Sequence, residues 1–131
     1  MIVLDASALL AWVLNERGAT TVDRLLDVGV APASVLVETL YRAVEKGHRL
    51  RPEQLREALL EMGLDVEPVT GEDVVRAADL IAASRQAPGE GSLSLGDGLC
   101  IAVAERLRLP VTGGDQYWET LDLAVSYLPF R

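Results

Sequence analysis

A chain of 131 residues accommodates one ordinary domain and leaves no room for a second, so residues 1–131 are read as a single unit. Half of the residues are hydrophobic and 24% are charged, a balance that builds a globular core and excludes a disordered chain. The formal net charge of -8 excludes binding of nucleic acid by bulk electrostatics, so any such role needs bridging cations or local arginine patches.

Residues 2–4 are an apolar run of the kind found in strands buried on both faces, and the run ends at Asp5. Ser7 is placed to cap a helix from Ala8 to about Asn15. Residues 19–27 carry Val22, Leu25 and Leu26 at helical spacing. Residues 28–31 form a second candidate strand closed by Pro32, and Ser34 is expected to cap a helix to about Gly47. Pro52 suits a first helical turn, and the helix it opens runs to Gly63. Residues 64–69 alternate as a strand should, and a further helix spans about 72–85. Residues 86–93 are the one stretch with loop composition. Ser94 and Asp97 then resemble a capping box at the head of another helix. Residues 110–112 are a short buried strand, residues 113–115 a turn, and residues 123–127 a last candidate strand.

Strands alternating with helices predict an α/β sandwich with a mostly parallel sheet. In such sheets ligands bind beyond the carboxyl ends of the strands. Asp5 and Asp115 follow strands there, and Glu38 and Asp97 lie in the first turns of helices that face the same rim. Four carboxylates from distant parts of the chain are thus placed to converge. Two carboxylates ~5 Å apart repel by roughly 3 kcal/mol at an effective dielectric near 20. Convergence therefore calls for protonation or for divalent cations. All the donors are oxygens, which favours Mg2+ or Mn2+ over zinc. Such ions serve in-line attack on a phosphodiester without a histidine or a nucleophilic serine. Taken singly, each acid also has an ordinary use: Asp5 and Asp115 in turns, Asp97 as a cap, Glu38 on a solvated helix face.

The segments IVLDASALLAWVLNE, ASVLVETLYRAVEKG and LSLGDGLCIAVAERLRLPVTGGDQYW are similar to the motifs of the PIN-domain family, in particular the VapC-type toxins of toxin–antitoxin pairs. The resemblance covers essentially the whole chain in the family's order. It puts the family's four acids at Asp5, Glu38, Asp97 and Asp115, with Ser7 and Thr112 as supporting hydroxyls. It implies a Rossmann-like three-layer α/β/α fold and an endoribonuclease dependent on Mg2+ or Mn2+. It also implies RNA as substrate, a homodimer, and a small cognate antitoxin as partner. On that reading Asp5, Asp97 and Asp115 bind the metal, Glu38 ligates or orients the attacking water, and Ser7 and Thr112 hold Asp5 and Asp115. Gly98 and Gly114 depart from the family's usual pattern and are expected to loosen the backbone near the site.

Two other readings compete. One is a PIN-like module kept for protein binding, with little or no nuclease activity. The other is a different phosphoryl-transfer enzyme: a haloacid-dehalogenase type needs an acid where Ser7 stands, and a receiver domain needs a late lysine, whereas Lys46 lies in the first half. His48 is expected at a helix C-terminus, Cys100 as a small buried hydrophobe, and Trp12 in the core or at a partner contact. Tyr117 and Trp118 suit base stacking or core packing. Arg42, Arg49, Arg51 and Arg85 are the phosphate-contact candidates. The opening Met-Ile-Val-Leu-Asp-Ala-Ser has no positive n-region, the apolar stretches are broken by charges, and the lone Cys100 rules out an intramolecular disulfide. No membrane span is expected, and a cytoplasmic location is.

Overall fold

Three consecutive buried residues need cover on both sides, because successive strand side chains point to opposite faces. The computed structural model, which describes residues 1–89 and 91–131, shows this in β1 (Ile2–Leu4), whose residues are all buried, and in β2 (Gly29–Pro32) likewise. β3 (Asp65–Glu67) is a partly exposed edge, and β4 (Val111–Thr112) is short and buried. The order is β3-β2-β1-β4 and every pairing is parallel. Around the sheet lie α1 (Ala6–Val13), α2 (Ala19–Asp23), α3 (Ala33–Glu45), α4 (Pro52–Glu61), α5 (Gly71–Gln86) and α6 (Leu95–Leu107). The core joins Val3, Leu4 and Leu9 to Val22, Leu26, Val35, Leu59, Ile101 and Trp118. This is the α/β architecture expected from the strand–helix alternation. No helix among the described residues is long and apolar enough to cross a membrane.

The differences are local and have physical causes. The first helix is capped by Asp5, not Ser7, because the Asp5 carboxylate accepts from the Ser7 amide. The helical spacing of residues 19–27 breaks after Asp23 and tightens into a 3-10 turn at Leu26–Val28, with Leu25 donating to the Val22 carbonyl at 2.8 Å. Pro32 belongs to β2, opposite Glu67, and itself stands at the N-cap of α3. Ser34 consequently caps nothing, and its hydroxyl is buried without a partner among the described residues. Gly47 follows the C-cap Lys46 with φ +78°, the left-handed backbone that glycine adopts without strain. Residues 123–127 form no strand. Only Tyr127 bridges, in parallel, to Val111 of the two-residue β4.

Gly98 is not a point of looseness. A Cβ there would stand 2.6 Å from Ile81 and 3.3 Å from the Ala77 carbonyl, so the glycine lets α6 approach α5. At Gly114 a Cβ would meet only the flexible end of Arg131, at 3.0 Å. Of the expected loop at 86–93, Gln86 ends α5, residues 87–89 and 91–93 lack regular structure, and Glu90 lies outside the described residues.

Candidate active site at the switch point

From β1 the chain passes to β2 and β3 on one side, and returns to β4 on the other. The carboxyl ends of β1 and β4 therefore flank the point where strand order reverses, the usual seat of a ligand in an open parallel sheet. Asp5 leaves β1 there, its amide donating to the Thr112 carbonyl of β4 at 2.9 Å. Ser7 ties the two strand ends together: its hydroxyl donates to Asp5 Oδ2 at 3.0 Å and accepts from the Gly114 amide at 2.9 Å. A Cβ on Gly113 would stand 3.4 Å from each of Asp5 Cβ, Ser7 Oγ and Tyr127 Oη, so the glycine leaves a small cradle among them.

Asp97 sits in the first turn of α6 in the expected capping box. Its carboxylate accepts from the Ser94 amide at 3.0 Å, while its own amide donates to Ser94 Oγ at 3.1 Å. Glu38 reaches over the head of α6 from the first half of α3, and a Cβ on Gly96 would collide with its Oε1. Glu38 also pairs with Arg42 at 3.2 Å. Asp115 is exposed; its Oδ1 accepts from the Tyr117 amide at 2.9 Å and its carbonyl accepts from the Tyr127 hydroxyl at 2.9 Å.

Burial first, then the charge of Asp97, and to a smaller extent that of Glu38, push Asp5 up to about 7; bonds from the Ala6 amide and Ser7 pull the other way. Burial, followed by Asp5, drives the Cys100 thiol well up. Burial, followed by Asp5 and Asp115, raises the Tyr127 phenol. Electrostatically, then, Asp5, Asp97 and Glu38 share one neighbourhood, and Asp115 joins it at Tyr127. They do not form a closed cage: among the described residues no three His, Cys, Asp or Glu side chains stand together closely enough to hold an ion. Like charges separate, and each carboxylate has taken a local donor: Ser94 for Asp97, Arg42 for Glu38, Tyr117 for Asp115.

Thr112, expected to hold Asp115, contributes its carbonyl to Asp5, while its buried hydroxyl has no partner among the described residues. Trp118 is 1% exposed and packs against Tyr127 with ring centroids 5.3 Å apart, so it is core and not a stacking platform. Trp12 donates from its indole to Asp23 at 2.9 Å. His48 accepts from the Leu50 amide at 3.1 Å just past α3. Of the arginine candidates, Arg51 pairs with Glu53 at 3.0 Å, whereas Arg42 lines a cleft of about 520 Å³ together with Ser7, Lys46 and Arg131. Lys46 and Arg131 were not foreseen there. Lys46 had a signal, one helical turn beyond Arg42; Arg131 had none. Cys100 also had one, since it follows Asp97 by three residues on α6 and so shares its face.

The family model for the PIN domain matches residues 2–122, and the chain belongs to that family. No curated protein sequence matches it significantly. Its fold is similar to that of VapC20 from Mycobacterium tuberculosis, a Sarcin-Ricin loop cleaving toxin, at 22% identity and a TM-score of 0.72, over 96% of this chain and 99% of that one. It is also similar to a DNA-bound VapBC from Salmonella typhimurium, at 15% identity and a TM-score of 0.70, over 99% and 98% of the two chains. A toxin–antitoxin complex from Klebsiella pneumoniae is similar at 16% identity and a TM-score of 0.68, over 88% and 87%.

Proposed function

We propose that this PIN domain is a metal-dependent endoribonuclease and acts as the toxin of a toxin–antitoxin pair. The observation that carries the reading is Asp5, a buried carboxylate pushed up to about 7 beside two further acids at the sheet's switch point. Strongly perturbed groups in such a place mark function more often than structure. The fold relatives described as toxins or toxin–antitoxin complexes support the biological role.

The donor chemistry suits a hard divalent cation, Mg2+ or Mn2+, whose binding would draw the separated carboxylates together. The donor set is all oxygen, the Thr112 hydroxyl is buried without a partner among the described residues, and the Gly113 cradle opens between Asp5 and Ser7. Asp5, Asp97 and Asp115 would hold the ion, with Glu38 as a further ligand or as the group that orients water. When bound, the ion would activate a water and stabilise the leaving oxygen of the cleaved phosphodiester. Ser7 keeps Asp5 in place and locks it to the β4 turn through Gly114. Arg42, Lys46 and Arg131 line the adjoining cleft together with Glu16 and Glu45, and they are the cations there that would contact RNA phosphates on an otherwise acidic chain. Exposed Val37, Tyr41, Val44 and Leu95 offer an apolar surface to a protein partner, whether antitoxin or a second copy in a homodimer. The cytoplasm, where RNA and an antitoxin meet, is the location this role requires.

The test is cleavage of total cellular RNA by the wild type and by Asp5→Asn, each with Mg2+, Mn2+ or EDTA. Discrete fragments made only by the wild type with metal are expected. Identical RNA profiles from both proteins under every condition would overturn the nuclease reading in favour of a protein-binding module.

A further inference from the structure

Tyr127 has no part in the acidic motifs, yet its hydroxyl stands inside the site. It donates to the Asp115 carbonyl at 2.9 Å. It is also one of the three groups that a methyl at Gly113 would meet at 3.4 Å, the others belonging to Asp5 and Ser7. The placement is built from several sides. The Tyr127 ring rests on buried Trp118, with planes inclined at 46°. The backbone on either side is pinned to β4: Val111 donates to the Ser126 carbonyl at 3.0 Å, and Leu128 donates to the Val111 carbonyl at 2.9 Å. A phenol held this way at ring and backbone has little freedom, so its hydroxyl is a fixed point.

That fixed point bears on the part of the site with the least support. Asp115 is exposed and stands one residue beyond Gly114, the last point of the turn that Ser7 holds. Its carbonyl belongs to the peptide that links it to Gln116. Fixing that carbonyl fixes the peptide plane, and with it the direction in which the Asp115 carboxylate leaves the chain. The Tyr117 amide then holds Oδ1 from the other end.

We propose that Tyr127 is a positioning residue: its hydroxyl, bonded to the Asp115 carbonyl over Gly113, sets where the Asp115 carboxylate stands relative to Asp5 and so tunes the site's affinity for a divalent cation. The inference rests on the ion-binding reading of the site given above. Outer groups that orient ligands typically change metal affinity by about 10–100-fold when removed.

Tyr127→Phe tests it, because phenylalanine keeps the ring on Trp118 and removes only the hydroxyl. Two measurements are made on the full chain. The first is amide hydrogen exchange in EDTA. Exchange at Gly114 and Tyr117 is expected to quicken by about fivefold to tenfold, the scale of one lost hydrogen bond, while Val111 and Leu128 stay unchanged. The second is Mn2+ uptake followed by the spin resonance of the free ion, with a loss of affinity of about tenfold expected. Unchanged exchange, or quickened exchange with wild-type Mn2+ affinity, overturns the positioning role. Absence of Mn2+ uptake by the wild type itself overturns the ion reading and this inference with it, and is distinguishable because it precedes any substitution.

Discussion

Asp5 and Asp73 are both buried aspartates, 6% and 1% exposed, and the chain treats them in opposite ways. At the seam of α5 and α6, Arg106 Nε donates to both carboxylate oxygens of Asp73, at 2.9 and 3.1 Å, and its far nitrogen reaches the Pro68 carbonyl at 3.0 Å. Arg76 and Glu105 pair alongside at 2.7 Å. Burial alone pushes Asp73 up, but the bonds from Arg106 and Thr70 together outweigh it and hold the group below its ordinary value. At the strand ends burial acts alike on Asp5, its neighbours are Asp97 and Glu38, and the group rises to about 7. One buried charge has been answered within the fold and the other has been left for something outside it. Ser7 and the Ala6 amide only partly offset that burial, and we propose on this ground that Asp5 belongs to a functional site, since strongly perturbed groups in such a place mark function more often than structure.

Removing the unanswered charge gives the largest effect. Asp5→Asn is expected to lower RNA cleavage by at least about 10²–10³-fold, the scale of deleting one electrostatic group aimed at the reacting centre. Its stability without metal should rise. Asp5 in the folded chain binds its proton more tightly than in the unfolded one, so its contribution is fully present below the unfolded value of 3.8 and is lost as pH climbs through about 7. In EDTA the wild type should therefore weaken against Asp5→Asn between roughly pH 4 and pH 7 by up to about 4 kcal/mol, and run parallel above that. Melting curves of both proteins across that range check the sign. A difference that stays flat with pH would sink the account of Asp5.

The converse experiment is Arg106→Ala. It strands Asp73 without its cation and is expected to cost about 2–3 kcal/mol of stability, somewhat less than a fully buried pair because Arg106 is 23% exposed. Cleavage measured well below the melting temperature should be unchanged. Because Asp73 is held down in the folded chain, its contribution is present above the unfolded pKa and fades as the solution is acidified, opposite in direction to Asp5. Loss of activity in proportion to Asp5→Asn would erase the distinction between the two regions.

How far this contrast could be read from the sequence depended on the range of the interaction. The helix caps at Ser94 and Thr70 and the proline at the head of α4 are local, and the Ser94–Asp97 box was expected where it stands. The strand–helix alternation placed Asp5, Glu38, Asp97 and Asp115 on one rim, because the parallel topology follows from it. How closely the acids approach was not legible, since Arg42, Ser94 and the Tyr117 amide each hold one of them back. Tyr127 was read only as part of a last strand, because its place over Gly113 depends on a single bridge to Val111. The Arg106–Asp73 pair links residues far apart in sequence and carries no local pattern.

A smaller effect is expected at Gly96, where a methyl would occupy the position of Glu38 Oε1. The obstruction is the mobile end of a side chain, so Gly96→Ala should fold and gain a few tenths of a kcal/mol from helix propensity. Glu38 would be turned aside, and kcat/KM should fall by about tenfold, the lower range for a displaced supporting group. Full activity with Glu38 displaced would remove Glu38 from the catalytic set and leave the site to the aspartates.

The smallest effect concerns the approach of substrate. Lys46 is the only lysine, lines the cleft beside Ser7, and makes no ion pair among the described residues. Arg42 is a poorer probe, because changing it also frees Glu38. On an Asp5→Asn background that binds RNA without cutting it, Lys46→Ala should weaken binding only a few-fold. It should also make the dependence of log affinity on log salt shallower by about 0.7, the value of one single-strand phosphate contact. The wild-type slope retained in Lys46→Ala would remove Lys46 from the RNA path. In a chain of charge -8 a local cation and a bound ion are two ways to bring a polyanion to Asp5, and the salt slope measures the share of the first.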